Sequence, residues 1–264
     1  MRFWLACLLL APLLIVQARR ARRDTPRLPE AGGDDRGVEP GEDDRAPACR
    51  LLVIGESTVA GVGVAEHRQG LGAQLARALA RRQQQPVAWR VIGVNGIRAR
   101  ALQQRLANKA LPAADLIVIS LGVNDTTGAT SPRRYRQHLA ELIQTLRHHQ
   151  THPPVCLLAV PPMQHFTALP RPLRNLLGHR AAQLDRAQQT LAAQLARVDH
   201  LAYPVIADPA YLAKDGYHPS EKGYAYIADQ VATKLEIIPN TAPVTRTRPP
   251  QYGDAPGPPP APRA

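Results

Sequence analysis

The stretch 51-LLVIGESTVAGVGV-64 runs four apolar residues into Gly55, then Glu56 and Ser57, and spends Gly61 and Gly63 within the next few positions. A buried strand seldom ends in so tight a polar corner unless a side chain has to be held at the sheet edge. Gly55 permits the sharp turn, and the chain beyond it can start a helix whose N–H groups face that edge. Ser57 is therefore the first candidate functional side chain. The alternative for a serine so placed is a plain helix N-cap.

Outward from this corner, short apolar runs alternate with longer amphipathic ones. Residues 51–54 read as a strand, and 69–82 as a helix with Leu71, Leu75 and Leu79 four apart. Strands follow at 87–94, 116–122, 155–160 and 201–206. Helices are expected at 99–110, 132–148, 178–197 and 221–236, with a long proline-containing loop after the fourth strand. Near-continuous apolar strands alternating with helices imply a three-layer α/β/α fold around a doubly wound parallel sheet. Ligands in such sheets gather at the carboxyl ends of the strands, a rim that here carries Ser57, Gly96, Asn124 and the loop after Val160.

Gly96 stands in 91-VIGVNGIRAR-100 and Asn124 in 120-SLGVNDTTG-128, each just past a strand. The fourth corner is 215-DGYHPSEKGYAYIADQVA-232, where Asp215 and His218 are spaced to touch within one turn and Ser220 can cap the following helix. Singly these read as a turn glycine, an Asx turn and an ordinary turn. Jointly they supply a nucleophile, a base, an orienting carboxylate and donors for a developing oxyanion, which is what acyl transfer needs.

In four blocks, GES at 55–57, the glycine of VNGIR at 96, GVND at 122–125 and DGYHP at 215–219, the chain resembles the SGNH hydrolases, the GDSL esterases and lipases. The resemblance spans most of residues 50–232. It implies a flavodoxin-like fold, no cofactor, and hydrolysis of ester or thioester bonds. By position it makes Ser57 the nucleophile and completes a triad with Asp215 and His218; Gly96 and Asn124 would join the Ser57 amide in an oxyanion hole. Two departures stand out. Glu56 and Thr58 replace the usual Asp and Leu of G-D-S-L, and Val59 breaks the G-x-S-x-G elbow of the α/β-hydrolases. The segment 161-PPMQHFTALPRPLRNLLGHR-180 rises from the same rim, and Met163, Phe166 and Leu169 are expected to form an apolar acyl-binding wall. The competing reading is a membrane-tethered, non-catalytic α/β module that holds phosphate-bearing ligands. It is weakened because 55-GESTVAGVG-63 is neither G-x-G-x-x-G nor a P-loop.

At 264 residues the chain suits a single α/β domain, and 4% aromatic content fits aliphatic helices packed on a sheet. A net charge of +12 would draw phosphates, but the arginines come without interleaved aromatics for base stacking, so no nucleic-acid partner is expected. Cys7, Cys49 and Cys156 form no C-x-x-C pair, which indicates neither a disulfide framework nor a zinc site. The cluster 148-HHQTH-152 lies at a helix end without a carboxylate nearby in sequence, so no metal is expected there. The apolar run 3-FWLACLLLAPLLIV-16 falls short of the roughly 20 residues needed to span a bilayer. It reads as a signal segment or short anchor, and membrane association is expected. Basic residues after the run leave the side of the membrane open. The expected organisation is an N-terminal signal or anchor at 1–23, a disordered linker at 24–46, the hydrolase domain at 47–238, and a proline-rich disordered tail at 239–264. The natural acyl group and the oligomeric state are not encoded in any motif.

Overall fold

Runs of aliphatic residues with apolar side chains on both faces can be buried only between two helical layers, and the chain builds such a sheet. The computed structural model describes residues 10–40, 46–148, 152–206 and 208–235. Strands β2 (Cys49–Gly55), β3 (Val87–Gly93), β4 (Leu116–Ser120), β5 (Val155–Leu158) and β6 (Val198–Leu201) run parallel, and β1 (Arg36–Glu39) pairs antiparallel with β3. The order is β1-β3-β2-β4-β5-β6, so the parallel part has the flavodoxin-like doubly wound arrangement.

Alternate residues of each strand enter opposite cores. Leu52, Ile54, Ile117, Ile119, Val155 and Leu157 pack against α3 (Ala99–Leu106), α5 (Pro132–Arg147) and α6 (Leu173–Gln194). Leu51, Val53, Val118, Cys156 and Leu158 face α2 (Leu71–Gln83) and α7 (Glu221–Ala232). Val53, Ile54, Val118 and Ile119 are fully buried, each contributing roughly 1.5–3 kcal/mol of transfer free energy. Gly55 pairs with Gly93 on one side and Ser120 on the other, so three strands end at one level. A Cβ at Gly55 would stand 2.0 Å from the Ser120 carbonyl oxygen, and no side chain fits there. That common level is the rim from which the site is built.

Several expectations need correction. Part of the stretch 24–46, expected as a linker without structure, forms β1, with Val91 N–H donating to Asp35 O at 2.8 Å. Glu39 is held by Arg77 of α2 at 2.8 and 3.1 Å. Four residues with one apolar side chain give no alternation to read, and the strand owes its existence to the open edge of β3. The last strand lies at Val198–Leu201, upstream of 201–206, because its register is set by pairing with β5. Helix α6 begins at Leu173; Gly178, expected at its start, lies inside it, where a Cβ would come within 2.7 Å of the Gln164 backbone. Helix α3 ends at Leu106 and α7 at Ala232, both short of expectation.

Helix α1 (Ala11–Asp24) covers part of the segment expected as signal or anchor. Leu14 joins the core, while the Gln17 amide donates to Arg171 O at 2.7 Å and accepts from Leu173 N–H at 3.1 Å. Leu13, Ile15 and Val16 stay exposed. Among the described residues no helix is long and apolar enough to cross a membrane. Residues 1–9 and the expected tail at 239–264 lie outside the described residues.

Candidate active site

Ser57 sits one residue past Glu56, whose N–H donates to Ser120 O, in a turn closed by Val59 and Ala60 N–H groups donating to Glu56 O. The turn aims the hydroxyl along the rim. His218 and Asp215 come from the loop before α7, which Ser220 caps through its hydroxyl. The His218 Nε2 to Ser57 Oγ distance is 2.9 Å, and Nδ1 lies 2.5 Å from Asp215 Oδ2. Asp215 Oδ1 accepts from the Tyr217 and His218 N–H groups, both at 3.0 Å. Burial raises the Asp215 pKa, but the His218 ring and these two amides more than offset it, leaving the carboxyl below its ordinary value. The carboxylate is thus ionised, 6% exposed, and fixed in rotation by two backbone donors. It can only accept, so His218 carries its proton on Nδ1 and turns a bare Nε2 toward Ser57.

Behind Ser57, Glu56 takes a role that its position in the motif did not reveal. Its carboxylate reaches across to α4 (Val123–Thr127), accepting from Val123 N–H at 2.8 Å and from Asn124 N–H at 2.9 Å. It also accepts from Asn124 Nδ2 at 2.5 Å. Burial pushes the carboxyl up to about 7 against these donors, and Asp125 adds to the rise. An amide NH2 has two protons. Glu56 takes one, which fixes the orientation of Asn124 and leaves the other free. The extra methylene relative to Asp is what carries the carboxylate to this amide. Thr58 Oγ1 and Ser120 Oγ lie 3.1 Å apart, a second polar tie between the turn and β4.

Gly96 lies in the loop after β3 with φ of +77° and no atom within 4 Å of where a Cβ would stand, so its backbone faces open space. Among the described residues neither the Ser57 nor the Gly96 N–H has an internal acceptor.

The expected apolar wall is only partly in place. Met163 and Leu169 are 3% and 7% exposed and belong to the core beneath α6, where helix formation from Leu173 draws them inward. Phe166 remains at the surface of that core and meets Tyr217 edge-on at 6.3 Å between ring centroids. It lines a small apolar pocket with Pro161, Pro162, Tyr203, Val205 and Tyr217. Residues 203–205 fall in the stretch expected as a strand but lie beyond its end at Leu201, and the Tyr-Pro step at 203–204 is the sign in the sequence of a loop. Cys49 and Cys156 act as core residues: both are buried, and burial pushes the Cys49 thiol up to about 12. No group of three potential metal ligands occurs among the described residues.

A serine, a histidine and an aspartate joined at the carboxyl edge of such a sheet define the class of serine-type ester hydrolases. A profile of the GDSL-like lipase/acylhydrolase family matches residues 53–226, and the chain belongs to that family. The GDSL-like esterase Rv1075c of Mycobacterium tuberculosis is 31% identical over 235 residues, covering 82% of this chain and 74% of the relative. The crystal structure of TesA superposes with a TM-score of 0.55 at 26% identity, covering 71% of this chain and 98% of TesA. A lipase/acylhydrolase from Enterococcus faecalis shares the fold at 20% identity and a TM-score of 0.55, covering 73% of this chain and 99% of that one. The protein is an ester hydrolase acting on small-molecule esters.

Proposed function

We propose that the protein cleaves carboxylic or thioester bonds through an acyl-enzyme formed on Ser57. The observation that carries this reading is the continuous chain from Asp215 through both ring nitrogens of His218 to the Ser57 hydroxyl. Ser57 Oγ attacks the ester carbonyl while its proton passes to His218 Nε2, and the imidazolium so formed is stabilised by ionised Asp215. The tetrahedral oxyanion receives the free N–H groups of Ser57 and Gly96 and the second amide proton of Asn124. Collapse breaks the bond to the alcohol or thiol, which leaves with the proton from His218. Water then attacks the acyl-enzyme through the same base, and the carboxylic acid departs with Ser57 restored.

A fluorophosphonate probe tests this directly on the full chain. Wild type should label covalently and Ser57→Ala should not; equal labelling of both would refute the assignment. The exposed Leu13, Ile15 and Val16 of α1, followed by Arg19, Arg20, Arg22 and Arg23, support placing the enzyme at a membrane surface rather than free in solution.

A further inference from the structure

The stretch 24–46 supplies more than β1. Its residues 30–32 form a strap on the catalytic rim. Ala31 N–H donates to Ala60 O at 2.9 Å and Gly32 N–H to Ala65 O at 2.8 Å, while Gly32 O accepts from His67 N–H at 2.9 Å. The approach is close: a Cβ on Gly61, whose φ is +69°, would stand 2.5 Å from the Ala31 side chain. The strap therefore lies on the segment that begins at Glu56 and carries Ser57. One residue earlier, the Glu30 carboxylate turns to the loop after β3 and accepts from Asn95 N–H at 2.6 Å. Glu30, Ala31 and Gly32 thus touch both backbone segments that offer free amides to the site, and they lie outside the residues 53–226 matched by the family profile.

Asn95 matters because of the turn to which it belongs. Ile97 N–H donates to Val94 O at 3.3 Å, and Gly96, third residue of this turn, has φ of +77°. Those are the marks of a type II turn, and types I and II differ by turning over the peptide between the second and third residues. That peptide carries the Gly96 N–H. Glycine accepts either form at this position, so the residue itself does not fix the direction of its amide. The neighbouring amides are held: Val94 N–H donates to Gly55 O at 3.2 Å, Asn95 N–H to Glu30, and Ala99 N–H to Asp125 Oδ2 at 2.9 Å. Of these three acceptors, Glu30 binds the amide next to the peptide that can turn over. A carboxylate acceptor makes one of the stronger hydrogen bonds available to a backbone amide. Its side chain is exposed, so removing it opens no hole in either core.

We propose that Glu30 is a positioning residue for the oxyanion hole: its carboxylate anchors Asn95 and so holds the direction in which Gly96 presents its N–H to the substrate carbonyl oxygen. The inference rests on the acyl-enzyme reading above and extends it to a residue that touches no reacting atom.

The test compares wild type, Glu30→Ala and Glu30→Gln as full chains on p-nitrophenyl butyrate, with turnover expressed per site labelled to completion by a fluorophosphonate probe. An alkyl trifluoromethyl ketone, which adds to the serine and places an oxyanion in the hole, is the second readout. Glu30→Ala should lower kcat about tenfold, short of the roughly 10²–10³ for a donor lost outright, with KM within about twofold. The Ki of the ketone should rise by the same factor, because it reports binding of the tetrahedral oxyanion. Glu30→Gln keeps an acceptor oxygen at the same reach and should stay within about threefold of wild type on both readouts. A loss confined to Tm or to the labelled fraction, with turnover per site unchanged in Glu30→Ala, would overturn the positioning role. So would a fall in kcat that the ketone does not share, or a Gln variant as slow as the Ala variant. A wild-type chain that neither labels nor turns over would overturn the proposed function itself, and this inference with it.

Discussion

Replacing Glu56 by Gln should separate stability from turnover in opposite directions along the pH scale. The carboxyl is pushed from an ordinary 4.5 up to about 7, a rise of roughly 2.5 units, worth about 3 kcal/mol. The native state therefore holds this proton to higher pH than the unfolded chain. Its contribution to stability is full below about 4.5 and is lost as pH rises to about 7. Glutamine does not titrate, so the difference in unfolding free energy, wild type minus variant, should fall by about 3 kcal/mol between pH 4.5 and 7.5. At low pH the variant is the weaker protein, because its NH2 faces one of three N–H donors and leaves a buried donor without an acceptor, a cost of about 1–3 kcal/mol. At pH 8 the two should be nearly equal in stability. Turnover at pH 8 should still drop about tenfold or more, since Asn124 loses the acceptor that fixes its amide, with the loss of an oxyanion donor, roughly 10²–10³, as the ceiling. Urea unfolding at pH 4.5 and 7.5 with p-nitrophenyl butyrate kinetics at pH 8 measures both. Adding Glu56→Gln to Asn124→Ala should cost no further turnover, because the two changes act through one amide. A stability difference flat with pH, or fully additive kinetic losses, would refute this account of Glu56.

Asn124→Ala alone should lower kcat by roughly 10²–10³ with KM little changed, and a loss under about threefold would remove its amide from the oxyanion hole. Asp215→Asn should lower kcat by about 10³–10⁴ with the fold intact by circular dichroism. Because the native Asp215 carboxyl lies below its ordinary value, it adds stability that is complete above about 3.8 and lost as pH falls through the native value. The Asn variant should lack that acid limb in unfolding measurements. Tyr135→Phe removes a hydroxyl that donates to Leu121 O and accepts from Gln188 Nε2, both at 2.7 Å, and should destabilise by about 1–3 kcal/mol, read as a lowered Tm.

Strands β2 to β5 were legible because burial on both faces leaves aliphatic runs that few other structures would use. The residues of the site were legible through type and order, since a serine, an asparagine and an Asp-x-x-His each follow a predicted strand or precede a predicted helix. What stayed hidden depends on partners distant in sequence. Strand β1 exists because β3 offers an edge, and β6 takes its register from β5. Met163 and Leu169 were placed at the surface because a Pro-rich segment reads as loop, whereas the helix that starts at Leu173 folds them under itself. Glu56 was visible as a departure from the usual motif, but its grip on Asn124 requires knowing that β2 and β4 end side by side.

The guard strand β1 has a practical consequence for anyone trimming the protein. Gly37 lies opposite Trp89, which is 5% exposed, and the strand caps the backbone of β3 along Val87–Arg90. A fragment started at residue 47, where the apolar pattern suggests a clean domain boundary, would bare an indole and a ladder of amides at once. Such an open edge invites a neighbouring chain to dock as a replacement strand. Shortened versions that self-associate or precipitate would then report a missing cover at β3, and they would also lose the tie of Glu30 to Asn95 N–H and of Ala31 N–H to Ala60 O beside the rim.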